Sequence, residues 1–365
     1  MPTLTIIAVS IGLFFAVNIG ASGAAASMGI SYGAGVIAKR KALALCAIAV
    51  FLGAWLGGEE VVKTIGSGIV PSSTFTTAIA LIVLASAALS LFLANIFGIP
   101  LSTSEVAVGS VIGAGVVYQS VFVGKVLWIA MFWLLTPFAA FVIAILAASL
   151  LRRPFIKTWM DKSKAGPILA IIVVLMGLFE AFSAGMNNVA NAVGPLVAAG
   201  LMHKGDAVIW GGLAVALGAF FLGNRVLETN GKKITTLRIE EGCVISGTGA
   251  SIVTAASLFG IPVPLTQITT SSIIGIGYAK YGKAVLKKDI VVKLLTVWIV
   301  SPVLSMVLSY TIIQLVIEQN FYPIIAMIGV LISVFGVMFL MKKTPSKVVV
   351  PNTKVANKLK FVEKG

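Results

Sequence analysis

The chain has 365 residues, 59% of them hydrophobic and 11% charged, with a formal net charge of +15, and its mean hydropathy is +1.07. A soluble protein of this length could not hide so much apolar surface from water, which excludes an ordinary globular domain. The basic residues sit in short connections and in the tail rather than on an amphipathic face, which argues against nucleic acid as a partner and for a lipid bilayer.

In chain order, apolar runs of membrane-crossing character are expected at 3–20, 42–58, 76–97, 99–117, 126–150, 167–183, 208–223, 242–259, 262–279, 290–317 and 322–341. No Lys or Arg precedes Lys39, so the first run lacks the basic start of a signal peptide and is read as a retained helix. Segments 21–38 and 184–202 are rich in Gly, Ala, Ser or Asn and too short to cross twice. They are expected to be re-entrant helical excursions, buried in protein or lining a cavity. Residues 152–166, with Arg152, Arg153, Lys157, Lys162 and Lys164, form a basic linker, and 342–365 a basic tail. Cys46 and Cys243 imply neither a disulfide framework nor a metal site.

The chain matches itself. At an offset of 165 residues Gly53-Ala54-Trp55-Leu56 lies over Gly218-Ala219-Phe220-Phe221, and Gly58, Ala25 and Gly29 fall on Gly223, Ala190 and Gly194. At an offset of 162, Gly98-Ile99-Pro100 lies over Gly260-Ile261-Pro262, and Gly113 and Gly115 fall on Gly275 and Gly277. Each strongly basic loop has a non-basic twin: Lys39-Arg40-Lys41 corresponds to Lys204-Gly205-Asp206, and the acidic Glu59–Lys63 to a region with Arg225, Lys232, Lys233 and Arg238. With the loops near 40, 158, 232 and 284 and the tail inside, all 27 basic residues except Lys63, Lys125, Lys204 and Lys293 are cytoplasmic. The expected fold is therefore an all-α membrane protein of two inverted-topology repeats, residues 1–151 and 167–317. It has about eleven transmembrane helices plus the re-entrant or broken ones. A further helix lies in 318–341, the N-terminus is outside and the C-terminus cytoplasmic.

Four clusters place polar groups at membrane depth. They are Asn18–Gly23, Gly185–Asn191, Gly98–Glu105 and Gly260–Gln267. A Gly or Pro break followed by hydroxyls or amides exposes helix-start N–H groups, which suit an anion without a buried cation. The plainer alternative is that small residues only permit close helix packing. Candidate substrate ligands are Ser22, Gly23, Ser102, Thr103, Ser104, Asn187, Asn188, Asn191, Thr266 and Gln267. Glu105 and Glu180 are the carboxylates placed well inside the membrane, where acids are costly and usually functional. A helix-capping or protonated, hydrogen-bonded role is the alternative for each. His203, the lone histidine, falls in an outside loop.

Ala184–Pro195 and Pro100–Glu105 resemble two signatures of the PiT inorganic phosphate transporters, G-x-N-D-x-x-N-A-x-G-P and P-x-S-T-[ST]-H, and the likeness extends over nearly the whole chain. The resemblance implies secondary transport of a tetrahedral oxyanion driven by Na⁺ or H⁺, with the site between inverted repeats. Departures from the pattern remove both signature carboxylates. Ser22-Gly23 stands for Asn-Asp, Ala26 for the following Asn, Asn188 for the second Asp, and Glu105 and Gln267 for residues that are often His. Asn18–Gly29 is similar to the sulfate permease branch of that family.

Phosphate near neutral pH carries a proton that a carboxylate can accept, whereas sulfate has none and would be repelled. Sulfate is thus preferred over phosphate as the expected cargo, with thiosulfate and other oxyanions open. Loss of the Asp pair also removes expected Na⁺ ligands. This favours H⁺ through Glu105 or Glu180, although carbonyls and hydroxyls could still hold Na⁺. No other cofactor is expected, and a homodimer is left open. An ion channel is the rival within transport. An enzyme is disfavoured by the single loop His and by the absence of an Asp in the spans, and a scaffold would not need four repeat-related polar breaks.

Overall fold

The computed structural model describes residues 2–97, 101–160, 165–228, 237–286, 288–325, 327–330, 332–333 and 336. Expectations for Gly98–Pro100, Lys162, Lys164, Lys232, Lys233 and 342–365, and in part for 318–341, lie outside them. The described residues form helices and turns, without a strand. The helices are α1 (Pro2–Ile19), α2 (Gly29–Gly33), α3 (Lys39–Gly57), α4 (Glu59–Lys63), α5 (Thr77–Phe97), α6 (Thr103–Val117) and α7 (Val123–Leu151). They continue as α8 (Pro154–Met160), α9 (Ala165–Ala198), α10 (Lys204–Leu222), α11 (Ile239–Leu258), α12 (Leu265–Tyr281) and α13 (Lys288–Val316). Among the described residues, six stretches can cross a membrane by length and composition: Thr3–Gly33, Lys39–Gly57, Val123–Leu151, Ala165–Ala198, Lys204–Leu222 and Trp298–Val316. α6, with 15 residues, reaches roughly 22 Å, short of a hydrocarbon layer of about 30 Å.

Both re-entrant expectations are overturned. Residues 184–198 continue α9, a single helix of 34 residues. After α1 the chain passes through a π turn (Gly20–Ala24) and a 3₁₀ turn (Ala25–Met28) into α2 without reversing, so that Thr3–Gly33 is one 31-residue stretch. In α9 the small residues do not loosen the backbone, and after α1 they change its pitch without reversing the chain. They let neighbouring helices approach, and the polar side chains find partners on those neighbours, so the helical ladder is kept.

Glycine sets the helix crossings. A Cβ on Gly53 of α3 would strike the Phe182 carbonyl of α9, and one on Gly185 of α9 would strike the Val50 carbonyl of α3. The same pair of contacts recurs 165 residues along: Gly218 of α10 abuts the Val17 carbonyl of α1, and Gly20 abuts the Val215 carbonyl of α10. In the later region Gly113 of α6 meets the Met306 carbonyl of α13, as Gly275 of α12 meets the Phe141 carbonyl of α7.

Turns repeat as well. Gly35 (φ 72°) and Gly200 (φ 66°) close α2 and α9 in left-handed conformations. In each case the N–H of the residue after the glycine returns to the helix: Val36 N–H donates to Ser31 O at 3.2 Å and Leu201 N–H to Leu196 O at 2.9 Å. Extended Ala38 (ψ 143°) and His203 (ψ 147°) then start α3 and α10.

α3 and α10 pack antiparallel, with an ion pair at each end. Lys39 at the start of α3 bonds Glu228, beyond the end of α10, at 2.7 Å, and Lys204 at the start of α10 bonds Glu59, beyond the end of α3, at 2.7 Å. Solvent screening keeps the contribution of these pairs to stability small, so the glycine contacts and buried apolar packing hold the bundle.

Gly185→Ala should force α3 and α9 apart and destabilise the protein by about 1–3 kcal/mol. Gly205→Ala, whose new Cβ has no atom within 4 Å, should be neutral or slightly stabilising. Thermal unfolding of both variants in the same detergent checks this.

Candidate functional site

α6 starts where the chain leaves extended Ser102 (φ −85°, ψ 129°), whose hydroxyl accepts from Glu105 N–H at 3.5 Å. Short polar side chains favour such a start because they satisfy first-turn donors. Thr103 and Ser104 then project from the first turn towards α9, which offers Asn187, Asn188 and Asn191, all at most 3% exposed.

The two helices are stitched by side-chain hydrogen bonds. Ser104 O–H donates to Asn187 Oδ1 at 3.0 Å, and Thr103 O–H to Asn188 Oδ1 at 3.2 Å. Asn191 Nδ2 donates to Ser104 Oγ at 3.3 Å, to Asn188 Oδ1 at 3.2 Å and, at 3.5 Å, to Thr103 Oγ1. Asn187 Nδ2 donates to Ser257 Oγ at 3.1 Å and to the Ile261 carbonyl at 3.3 Å. The cluster is buried and uncharged. Across from it lies Gly23 in the π turn after α1; a Cβ there would come within 3.7 Å of Asn188 Nδ2. That nitrogen has no hydrogen-bond partner among the described residues and opens onto the space glycine leaves.

Two carboxylates flank the cluster. Glu105, 1% exposed, follows Ser104 directly. Gln267 Nε2 of α12 donates to its Oε1, and Ser301 of α13 adjoins the carboxyl. Glu105 and Gln267 are 162 residues apart, so two corresponding positions of the halves meet here. Glu180 lies seven residues before Asn187, roughly 10 Å along α9. It is 4% exposed and accepts from Thr269 O–H at 3.1 Å. Among the described residues no three His, Cys, Asp or Glu side chains converge as metal ligands. A monovalent cation here would have hydroxyls, amide oxygens and one carboxylate to choose from.

The structure thus brings together Thr103, Ser104, Asn187, Asn188 and Asn191 with Gly23 opposite, and Ser102 caps the helix that carries the hydroxyls. Gln267 joins Glu105 instead of the cluster. Ser22 and Thr266 stand apart. The Ser22 hydroxyl bonds back to its own chain at Asn18 O (3.0 Å), and Thr266 is exposed. Ser257, the Ile261 carbonyl and Thr269 escaped the sequence reading. One signal could have found Ser257: it lies three residues before the Gly260 break, and at the 162-residue offset it falls on Asn95, another polar residue in an apolar run.

A family profile described as the phosphate transporter family matches residues 19–309. The chain belongs to that family. It is 54% identical to the sulfate permease CysP of Bacillus subtilis over 92% of this chain and 94% of the relative. That likeness sets it on the sulfate permease branch of the PiT transporters. Inorganic phosphate transporter 2-1, chloroplastic, of Arabidopsis thaliana is 26% identical over 80% of this chain and 68% of the relative. Among solved structures, a sodium-dependent phosphate transporter superposes with a TM-score of 0.73 at 25% identity, covering 86% of this chain and all of the other. This member of the phosphate transporter family is accordingly a multi-pass membrane transporter of inorganic anions and not an enzyme.

Asn187→Ala should leave the Ser104 proton without its acceptor and the Ile261 carbonyl without its donor in the interior, at a cost of about 1–3 kcal/mol in stability. A lowered unfolding midpoint relative to wild type in the same detergent would register it.

Proposed function

We propose that the protein imports sulfate by ion-coupled alternating access, with the anion held where Asn188 Nδ2 faces Gly23. The observation that carries this reading is a buried cluster of amides and hydroxyls that holds no carboxylate and turns one unspent N–H donor to open space. A proton-free dianion accepts from every donor and gives none, so a neutral amide suits it where a carboxylate would repel. Identity with a sulfate permease supports the same cargo. Phosphate is the second reading, supported by the likeness to a phosphate transporter of known structure. The coupling ion is H⁺, carried by Glu105 or Glu180, both buried beside hydroxyl or amide partners; Na⁺ held by carbonyls and hydroxyls is the alternative.

Two halves, 1–151 and 167–317, inserted with opposite topology support alternating access. Their corresponding helices α3 and α10 run antiparallel, and their glycine crossings and turns recur at one offset. The loop charges favour the N-terminus outside and the C-terminus in the cytoplasm. One contact is present on one side only. Ser104 meets Asn187, while the residues at the corresponding positions, Thr266 and Ser22, do not meet. Alternation between two such halves exchanges the first contact for the second.

Proteoliposomes containing the protein should accumulate radiolabelled sulfate more than phosphate, and an inwardly directed proton gradient should drive the uptake. Asn188→Asp should weaken sulfate binding at neutral pH and spare phosphate. Its penalty should shrink as the new carboxyl, with an ordinary pKa of about 3.9, becomes protonated at low pH and regains a donor. Equal losses for both anions at every pH would remove position 188 from ligand reading. In a background lacking Cys46 and Cys243, Ser22→Cys with Thr266→Cys should become cross-linkable by a short bifunctional reagent during turnover. Absence of cross-linking in an actively transporting variant would refute the exchange of contacts.

A further inference from the structure

α11 ends at Leu258, and the chain turns through Gly260 (φ 66°) before Ile261 and Pro262. The turn uses its own donors: Gly260 N–H donates to Ser257 O and Ile261 N–H to Ala256 O, both at 2.9 Å. The Pro262 carbonyl is taken by Trp133 Nε1–H of α7 at 2.9 Å. The Ile261 carbonyl is left pointing at Asn187, with the Ser257 hydroxyl, fully buried, beside it.

A hydroxyl can donate or accept, so hydroxyls alone cannot decide which way a buried amide points; a backbone carbonyl only accepts. Ile261 O therefore demands the nitrogen of Asn187, and the other end of that amide must be oxygen. Ser104, facing this oxygen at 3.0 Å, has to donate. With its proton spent, Ser104 Oγ accepts from Asn191 Nδ2. The same nitrogen donates to Asn188 Oδ1, which also takes the Thr103 proton. Asn188 is left with its nitrogen towards Gly23. One acceptor-only atom sets the direction of a hydrogen-bond chain across three helices.

We infer that Ser257 and the Ile261 carbonyl are positioning groups for anion selection, acting through Asn187, Ser104 and Asn191 to make Asn188 present a donor to the transported anion. This rests on the proposed oxyanion site and goes beyond it by naming what orients it. If the Asn187 amide were reversed, its oxygen would oppose the Ile261 carbonyl, Ser104 would be free to donate to Asn191, and the Asn188 oxygen would lose a partner. That oxygen could then turn to the open side, where a proton-free anion finds only another acceptor. The Ile261 carbonyl sets the direction, while Ser257 holds the amide in place by accepting from the same nitrogen, and touches no anion itself.

The test is a double-mutant cycle on sulfate uptake in proteoliposomes, with Ser257→Ala, Asn188→Ala and the double variant. Loss of one hydrogen bond in the relay should raise the half-saturating sulfate concentration about 3- to 10-fold for Ser257→Ala, with the maximal rate little changed. Asn188→Ala should cost more, and Ser257→Ala should add nothing on top of it, because the serine acts through that donor. Additive losses, or an unchanged half-saturation in Ser257→Ala, would overturn the inference.

Ser257→Thr and Ser257→Val, alike in shape and differing by one oxygen, guard against a packing defect. The threonine variant should keep most of the wild-type affinity and the valine variant should not, whereas equal affinities would overturn the inference. If the wild-type protein takes up phosphate rather than sulfate, the sulfate reading fails and the cycle is read with phosphate. Uptake of neither anion would remove the proposed function and the inference together.

Discussion

Within a hydrocarbon layer a polar atom has no water to turn to, so each one must find a partner in the protein or remain at a cost of several kcal/mol. The site grows out of that constraint at the meeting of α6 and α9. Ser104 and Asn187 can both be buried because each satisfies the other, and Asn191 and Thr103 extend the pattern. Side chains with both a donor and an acceptor build such a network without net charge, and here it leaves the buried Asn191 Oδ1 without a partner among the described residues. The result is a neutral, buried cluster in which the arrangement of dipoles, not net charge, decides which groups are offered to a neighbour.

The same constraint explains the helices around the site. Helices of membrane proteins gain little from hiding apolar side chains from lipid and pack by close approach instead. Glycines at 20, 53, 185 and 218 bring backbones into contact and create two matching crossings. These crossings tie the first half to the second in a reciprocal way, since α1 lies on α10 and α3 on α9. A motion that shifts one crossing acts on helices of both halves.

The regions that match at the two offsets are alike in frame and unlike in chemistry. Asn187 and Asn188 correspond to Ser22 and Gly23, and Glu105 to Gln267. Asn187, Asn188 and Asn191 supply the amides, and Thr103, Ser104 and Gly23 of the matching regions supply hydroxyls and space. Glu105 and Gln267 bond to each other across the centre, where one acid and one amide make a pair that two acids would not. Glu180 has Phe15 at its corresponding position, so the acid linked to Thr269 belongs to one half alone.

Much of this was legible in the chain itself. Apolar runs and glycines in register carried the membrane class and the two offsets, because helix spans and crossings depend on local composition. The polar residues of α6 and α9 stood out for the same reason, as costly groups in apolar surroundings. Continuity of α9 through 184–198 was not legible, since a run of Gly, Ala and Asn reads alike whether it loosens a helix or lets another helix approach. Nor was the separation of Ser22 and Thr266 from the cluster, which depends on how the halves sit against each other. The part played by Ser257 and the Ile261 carbonyl was decided by tertiary structure alone. A backbone carbonyl has no letter in the sequence, and its ability to orient an amide 74 residues away exists only once the chain has folded.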